Sequence, residues 1–248
     1  MDAQAWLEEL TRSRAIAVIR APSLDIGYRM AQAVAAGGMR MIEVTWTSDR
    51  PGDLIQRLRE DLPTCCVGAG TVLNPTDLRQ AIAAGAQFLF SPHTDLDLLR
   101  WAIAHQVPMV PGALSPNEIV AAWQAGAATV KVFPVQAMGG AAYIRSLQGP
   151  LGHIPLIPTG GVTLQHAADL ITAGAIAVGV SGQLFPAEAI ATQNWSAVTH
   201  QARQLGQALR PFIHHPRVDV EDNRLAQGHD WAESQSPSQH SRTGDTWV

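Results

Sequence analysis

Ala125-Gly126-Ala127-Ala128-Thr129-Val130-Lys131-Val132-Phe133-Pro134 joins two signals in one short segment. Its first half is a helix ending, because a glycine just past a helix can take the left-handed conformation that closes it. Its second half is apolar, β-branched and free of acidic residues, as expected of a strand buried in a parallel sheet. Inside that strand stands Lys131, the only lysine in the chain; the other cations among its 17 Lys+Arg are arginines.

The same phrase recurs along the chain. Ala36-Gly37-Gly38 precedes Met41-Ile42-Glu43-Val44, and Ala84-Gly85-Ala86 precedes Phe88-Leu89-Phe90-Ser91-Pro92. Ala173-Gly174-Ala175 precedes Ala177-Val178-Gly179-Val180-Ser181-Gly182. Each is the αβ joint of a βα repeat. Filling the gaps gives eight expected strands: Ala15–Ile19, Met41–Val44, Cys65–Gly70, Phe88–Ser91, Pro108–Pro111, Thr129–Phe133, Pro155–Pro158 and Ala177–Val180. Helical patterns between them include Ser23–Ala36, Asp49–Leu62, Pro75–Ala84, Leu96–His105, Ser115–Ala125 and Leu164–Ala173. Ser23, Asn74-Pro75, Ser115-Pro116 and Thr163 are fitting helix starts.

Eight such units in about 200 residues predict an α/β chain folded as a (β/α)8 TIM barrel. A doubly wound sheet would place Gly-x-Gly-x-x-Gly after its first strand, and none follows Ala15–Ile19. Met1–Arg14 is expected to form an extra N-terminal helix and Asn194 to about Arg210 a final one. The barrel is thus assigned to residues 1–213. Residues 214–248 are rich in polar positions such as Glu221, Asp222, Asn223, Gln235, Ser236 and Ser238, which predicts a disordered C-terminal tail. A peptide-binding role for that tail is the alternative.

Hydrophobic residues make up 46% of the 248 positions and charged ones 15%, enough for a substantial core. A net charge of -4 gives no footprint for nucleic acid, and no apolar run approaches the roughly 20 residues of a membrane helix. The start, Met-Asp-Ala-Gln-Ala-Trp-Leu-Glu-Glu-Leu, is acidic and unlike a secretory signal. Cys65 and Cys66 are neighbours in an expected strand and point to opposite faces, which argues against a disulfide. These features together predict a cytoplasmic, soluble protein.

Chemistry in such barrels collects at the C-terminal ends of the strands. Burial of a lysine favours its neutral amine, and a neutral amine attacks carbonyls to give a Schiff base. The competing account is a strand-end lysine whose amine snorkels to water. Strand alternation puts Met41, Glu43 and Thr45 on one face and Thr129, Lys131 and Phe133 on another. If both faces point inward, a carboxylate meets the amine in an apolar cavity, as an acid/base partner or as a structural ion pair. Thr159-Gly160-Gly161-Val162-Thr163 and Ser181-Gly182 end strands seven and eight, where barrels of this kind hold phosphate through backbone amides. His93 and His105 lack the spacing of a joint metal site, so no metal is expected. Trp101 and Trp123 fall at apolar helix positions and read as core.

Taken together, Ile-Glu-Val-Thr, Gly-Ala-Gly-Thr-Val-Leu-Asn-Pro, Phe-Ser-Pro-His, Val-Pro-Gly-Ala, Val-Lys-Val-Phe-Pro, Pro-Thr-Gly-Gly-Val and Val-Gly-Val-Ser-Gly resemble the KDPG/KHG aldolases, the 2-dehydro-3-deoxy-phosphogluconate aldolase family. The resemblance runs in order from about Ala15 to Pro186. It implies a class I aldolase of the aldehyde-lyase type on a (β/α)8 barrel, without a cofactor, assembled as a homotrimer. It implies Lys131 as the Schiff-base residue and Glu43 as the general acid/base. Thr71 and Pro92 would line the pyruvyl pocket, Phe133 would lie beside the lysine, and Thr159 would bear on stereochemistry. Gly160, Gly161 and Ser181 would hold phosphate. One departure bears on the substrate. Many members carry an arginine four residues after the glutamate, against the substrate carboxylate, and here that position is Thr47. Arg20, Arg50, or threonine hydroxyls with backbone amides are the available replacements. The implied substrate is the small phosphorylated keto acid 2-dehydro-3-deoxy-6-phosphogluconate. Its galactonate-derived epimer, 4-hydroxy-2-oxoglutarate, a metal-dependent aldolase and a phosphosugar-binding barrel without lyase chemistry are the alternatives.

Overall fold

Strand alternation sorts the apolar residues into two separate cores. Ile16, Met41, Cys66, Phe88, Phe90, Val110, Ile157 and Ala177 share one cluster with Trp6, Leu7 and Leu10 of the first helix. Their strand neighbours, among them Ala17, Ile42, Val67, Leu89, Val130, Leu156 and Val178, belong to a second cluster packed under the helices. Strands buried on both faces cannot alternate apolar with polar, which is why they read as continuous apolar runs. The computed structural model describes residues 1–213. The expected disordered tail lies outside the described residues.

The strands are β1 (Ala15–Ile19), β2 (Met41–Thr45), β3 (Cys66–Gly70), β4 (Leu89–Phe90), β5 (Met109–Val110), β6 (Gly112–Ala113), β7 (Val130–Val132), β8 (Leu156–Pro158) and β9 (Val178–Val180). Every pairing among them is parallel. Six form one sheet in the order β5-β4-β3-β2-β1-β9, and three form another in the order β6-β7-β8. The expected fifth strand, Pro108–Pro111, is observed as β5 alone; it stops at Pro111, which has no N–H to donate, and β6 follows in the other sheet. An isolated parallel bridge links Thr159, just past β8, to Gly179 of β9.

Helices α1 (Ala3–Ser13), α2 (Leu24–Ala36), α3 (Pro51–Asp61), α4 (Pro75–Ala83), α5 (Leu96–Ala104), α6 (Pro116–Gln124), α7 (Ala141–Leu151), α8 (Ala167–Thr172), α9 (Ala187–Ala191) and α10 (Trp195–Leu209) fall between and around the strands. Caps explain several boundaries. Ser23 and Asn74 accept from backbone N–H groups of α2 and α4, and Ser115 forms a reciprocal capping box with Glu118 at α6. The recurring helix-to-strand glycines, Gly38, Gly85, Gly126 and Gly174, all have positive φ, from 88° to 114°. At the first joint it is Gly38 and not Gly37 that turns left-handed. The expected helix Leu164–Ala173 is shorter, because residues 164–166 form turns before α8.

α1 does more than precede the strands. Trp6 is fully buried, lies 5.0 Å from the Phe88 ring and 6.2 Å from that of Phe90, and donates Nε1–H to Thr129 Oγ1 at 3.1 Å. It therefore closes the inner cluster beneath the strand that carries Lys131. Cys65 and Cys66 are buried free thiols, and burial pushes the Cys66 thiol up to about 12. Trp101 and Trp123 are half-buried and pack against the outer core. Among the described residues, no helix is long and apolar enough to cross a membrane.

Candidate active site

A cavity of about 420 Å³ opens where the C-terminal ends of the strands converge. Its lining brings together Arg20, Glu43, Thr71, Pro92, Lys131, Phe133, Thr159, Gly160, Gly161 and Ser181. Ten of the site residues read from the sequence thus share one space. Thr47 and Arg50 are not part of the lining.

Strand register explains the convergence. Val18 is paired with Glu43, and Glu43 with Gly68, across β1, β2 and β3. Lys131 is paired with Gly112 on one side and Ile157 on the other. Every second residue of each strand faces the same way, so Glu43 with Thr45, and Lys131 with Phe133, meet around the cavity.

Lys131 is 6% exposed and Glu43 only 2% exposed, which excludes a lysine snorkelling to solvent. The Lys131 amine lies 4.9 Å from the centroid of the Phe133 ring and 5.7 Å from that of Phe90. Phe90 is a neighbour that pattern alone did not single out; its place beside Lys131 depends on register across β4, β5, β6 and β7. Burial pushes the Glu43 carboxyl above its usual value, and the charges of Lys131 and Arg20 oppose that rise. Its Oε1 atom is buried without a hydrogen-bond partner, so the two groups do not form a closed structural ion pair. A carboxyl poised in this way can accept from, or donate to, a molecule in the cavity.

The rim at β1 and β2 is stitched by hydroxyls. Arg20 Nη1 donates to Thr47 Oγ1 at 2.7 Å, and Thr47 Oγ1 is 3.2 Å from Thr45 Oγ1. Thr45 Oγ1 is also 3.3 Å from Ser48 Oγ, which accepts from the Ala21 N–H at 3.0 Å. Thr47 thus touches the Arg20 guanidinium and does not itself line the cavity. Arg50, the other available cation, ion-pairs with Asp53 at 2.6 Å in the first turn of α3 and does not line the cavity. Of the two arginines left open by the sequence, Arg20 lines the cavity and Arg50 does not.

Opposite stands the glycine-rich rim. Gly160 and Gly161 have φ of 90° and 77°, a conformation that other residues adopt with strain. The Thr159 and Gly160 carbonyls accept from the Val135 and Gln136 N–H groups. Thr71 is a β-branched residue at φ 58°, a strained backbone of the kind that collects at functional sites. Gln183, Thr163 and Val18 also line the cavity. Thr163 belongs to the glycine-rich segment read from the sequence; no chemical signal there marks Gln183 or Val18, which enter through loop and register geometry.

His105 is engaged within its own helix. The His105 ring stacks on Trp101 at 3.4 Å between centroids, with Nδ1 2.8 Å from the Trp101 carbonyl. Among the described residues, no cluster of three or more His, Cys, Asp or Glu is placed to hold a metal.

The family model for KDPG and KHG aldolase matches residues 7–201. The chain belongs to the KDPG and KHG aldolase family. It is 33% identical to the 2-dehydro-3-deoxy-phosphogluconate aldolase of Dickeya dadantii over 195 residues, covering 79% of this chain and 92% of that protein. It is 35% identical to the corresponding enzyme of Pseudomonas aeruginosa over 188 residues, covering 76% and 84%. Among solved structures, KDPG aldolase from Legionella pneumophila, with pyruvate captured at low pH as a covalent carbinolamine, superposes with a TM-score of 0.74. That protein is 29% identical, over 79% of this chain and 96% of its own. As a KDPG and KHG aldolase, the chain combines a lone buried lysine, a buried carboxyl and a glycine-rich rim with an arginine at the end of β1.

Proposed function

We propose that this chain is a class I aldolase, an aldehyde-lyase that cleaves 2-dehydro-3-deoxy-6-phosphogluconate to pyruvate and glyceraldehyde 3-phosphate. The observation that carries this is the lone lysine, buried beside an unpartnered carboxyl in a cavity with a glycine-rich rim. The Lys131 amine attacks the C2 ketone and forms a carbinolamine. Glu43 donates a proton to the leaving hydroxyl, water departs, and a protonated imine results. Glu43 then takes the C4 hydroxyl proton. The C3–C4 bond breaks, and its electron pair flows into the imine. Glyceraldehyde 3-phosphate leaves, with the enamine of pyruvate on Lys131. Protonation at C3 and hydrolysis release pyruvate and restore the amine.

Arg20, held by Thr47, takes the substrate carboxylate. Gly160, Gly161 and Ser181 take the phosphate through close-approaching backbone, while Thr71, Pro92, Phe133 and Thr159 shape the walls. The glycine-rich rim favours the phosphorylated substrate over 4-hydroxy-2-oxoglutarate, which has no phosphate to place there. The two sheets act as one closed eight-stranded barrel. In support, only Pro111 separates β5 from β6, and the Thr159–Gly179 bridge joins β8 to β9. The working form is a cytoplasmic homotrimer. Two buried free thiols fit a reducing compartment, and exposed Leu73, Ile103 and Met138 supply apolar surface for assembly.

The test is borohydride reduction in the presence of pyruvate. A covalent adduct is expected on Lys131 in the native chain and absent in Lys131→Ala, with pyruvate release abolished. Full aldolase activity in Lys131→Ala overturns the mechanism. Gluconate- and galactonate-derived substrates, tested beside 4-hydroxy-2-oxoglutarate in one coupled assay for pyruvate, establish the preferred substrate.

A further inference from the structure

Three side chains of the cavity wall rest against glycines of neighbouring strands or loops. Glu43 lies over Gly70, Thr159 over Gly179 and the Phe133 ring over Gly160. The closest of these fits is the first. A methyl group added at Gly70 would fall within the Glu43 carboxyl itself and 2.7 Å from its Cγ. Gly70 ends β3, pairs in register with Thr45 and has no positive φ. Its backbone conformation is therefore open to any residue, and the need for glycine comes from the side chain lying across it. No other neighbour comes as close to the added methyl: its three nearest atoms all belong to Glu43.

We infer that Gly70 is a positioning residue that seats the Glu43 carboxyl in the cavity wall and aims it at the reacting carbons. This rests on the aldolase mechanism proposed above. The seat has a chemical consequence. Glu43 is recessed into the wall at the depth of the β3 backbone, where burial favours its protonated form. The charged groups facing it are Lys131 of β7 and Arg20 past the end of β1. A side chain at residue 70 forces the carboxyl out of this recess toward the cavity mouth. There it is better hydrated, more readily ionised and displaced from the imine. Small displacements of an acid/base group have large kinetic effects, because proton transfer needs hydrogen-bond reach.

The experiment compares Gly70→Ala with the native chain and with Gly149→Ala, a helix position where an added methyl meets open space. For Gly70→Ala, kcat is expected to fall about 100-fold, the scale of a displaced general acid/base. The acid limb of its kcat–pH profile should move to lower pH, and the pyruvate adduct on Lys131 should still form on longer incubation with borohydride. Gly149→Ala should keep native kinetics. A second measurement separates seating from folding. Gly70→Ala should lower the melting temperature in the native background, and much less in Glu43→Ala, where the space is free. Equal thermal loss in both backgrounds, or an unmoved pH profile, overturns the inference. If the native chain itself gives no adduct and releases no pyruvate, the aldolase mechanism fails instead, and the two failures are told apart.

Discussion

Replacing Arg20 with methionine removes the only guanidinium that lines the cavity among the described residues. The long apolar stem is kept, and the side chain is exposed, so the variant should fold as the native chain does. A hydrogen bond to a charged group contributes about 1.5–3 kcal/mol, which corresponds to roughly 10- to 150-fold in kcat/KM. Exposure to solvent places the expected loss in the lower part of that range. The substrate carboxylate is bound alike before and during C–C cleavage, so the loss should fall on KM, with kcat little changed. Thr47→Val keeps the guanidinium but removes the bond that fixes it, and a rise of a few-fold in KM is expected. Arg50→Met should behave as the native chain, because Arg50 is engaged with Asp53 outside the cavity. The double variant Arg20→Met/Thr47→Arg moves the cation to the position four residues after the glutamate and should recover part of the affinity. The assay is steady-state pyruvate release coupled to NADH oxidation. An unchanged KM in Arg20→Met, or a raised one in Arg50→Met, refutes the assignment of the carboxylate to Arg20.

Two further outcomes follow from the buried groups. Burial makes the folded state hold the Glu43 proton more tightly than the unfolded chain does, so this stabilisation is present at low pH and is lost as pH rises through the raised value. In urea unfolding, Glu43→Gln should therefore gain on the native chain as pH rises above the ordinary carboxylate range, then level off; a difference independent of pH contradicts this. Trp6→Ala deletes a fully buried side chain and should cost roughly 3–5 kcal/mol, a drop of about 6–20 °C in Tm. Trp6→Phe keeps the ring contacts but leaves Thr129 Oγ1 without its donor, and should cost about a third as much; a melting temperature equal to the native one in Trp6→Ala would show that α1 does not close the inner core.

Much of the fold was legible because its signals are local. The Ala-Gly joints repeat, each glycine is needed for a left-handed helix ending, and the strands behind them are continuous apolar runs. The additional strand β6 just past Pro111 and the shortening of the helix before β9 to Ala167–Thr172 were not anticipated. They depend on which N–H groups find partners across the sheet and on the turns that Thr163 caps. The site followed the same division. Lys131 and Glu43 stand out because a charge inside an apolar strand is costly unless it has work to do. Phe90, Gln183, Ser48 and the seat at Gly70 carry no such mark. Phe90 looks like any core aromatic and Gly70 like any strand glycine until strand register is known.

What the sequence by itself determined is the repeat, the presence of a lone lysine in an apolar strand, and which residues of each strand share a face, since all three depend on residues within one turn or one strand of each other. Only the tertiary structure decided which arginine lines the cavity, what Thr47 touches, and what lies across Gly70. Those answers lie in contacts between strands distant in sequence, such as Arg20 Nη1 to Thr47 Oγ1 at 2.7 Å and the Glu43 carboxyl across Gly70. The physical reason is register: a shift of one residue between neighbouring strands would turn Glu43 out of the cavity and leave every local pattern unchanged.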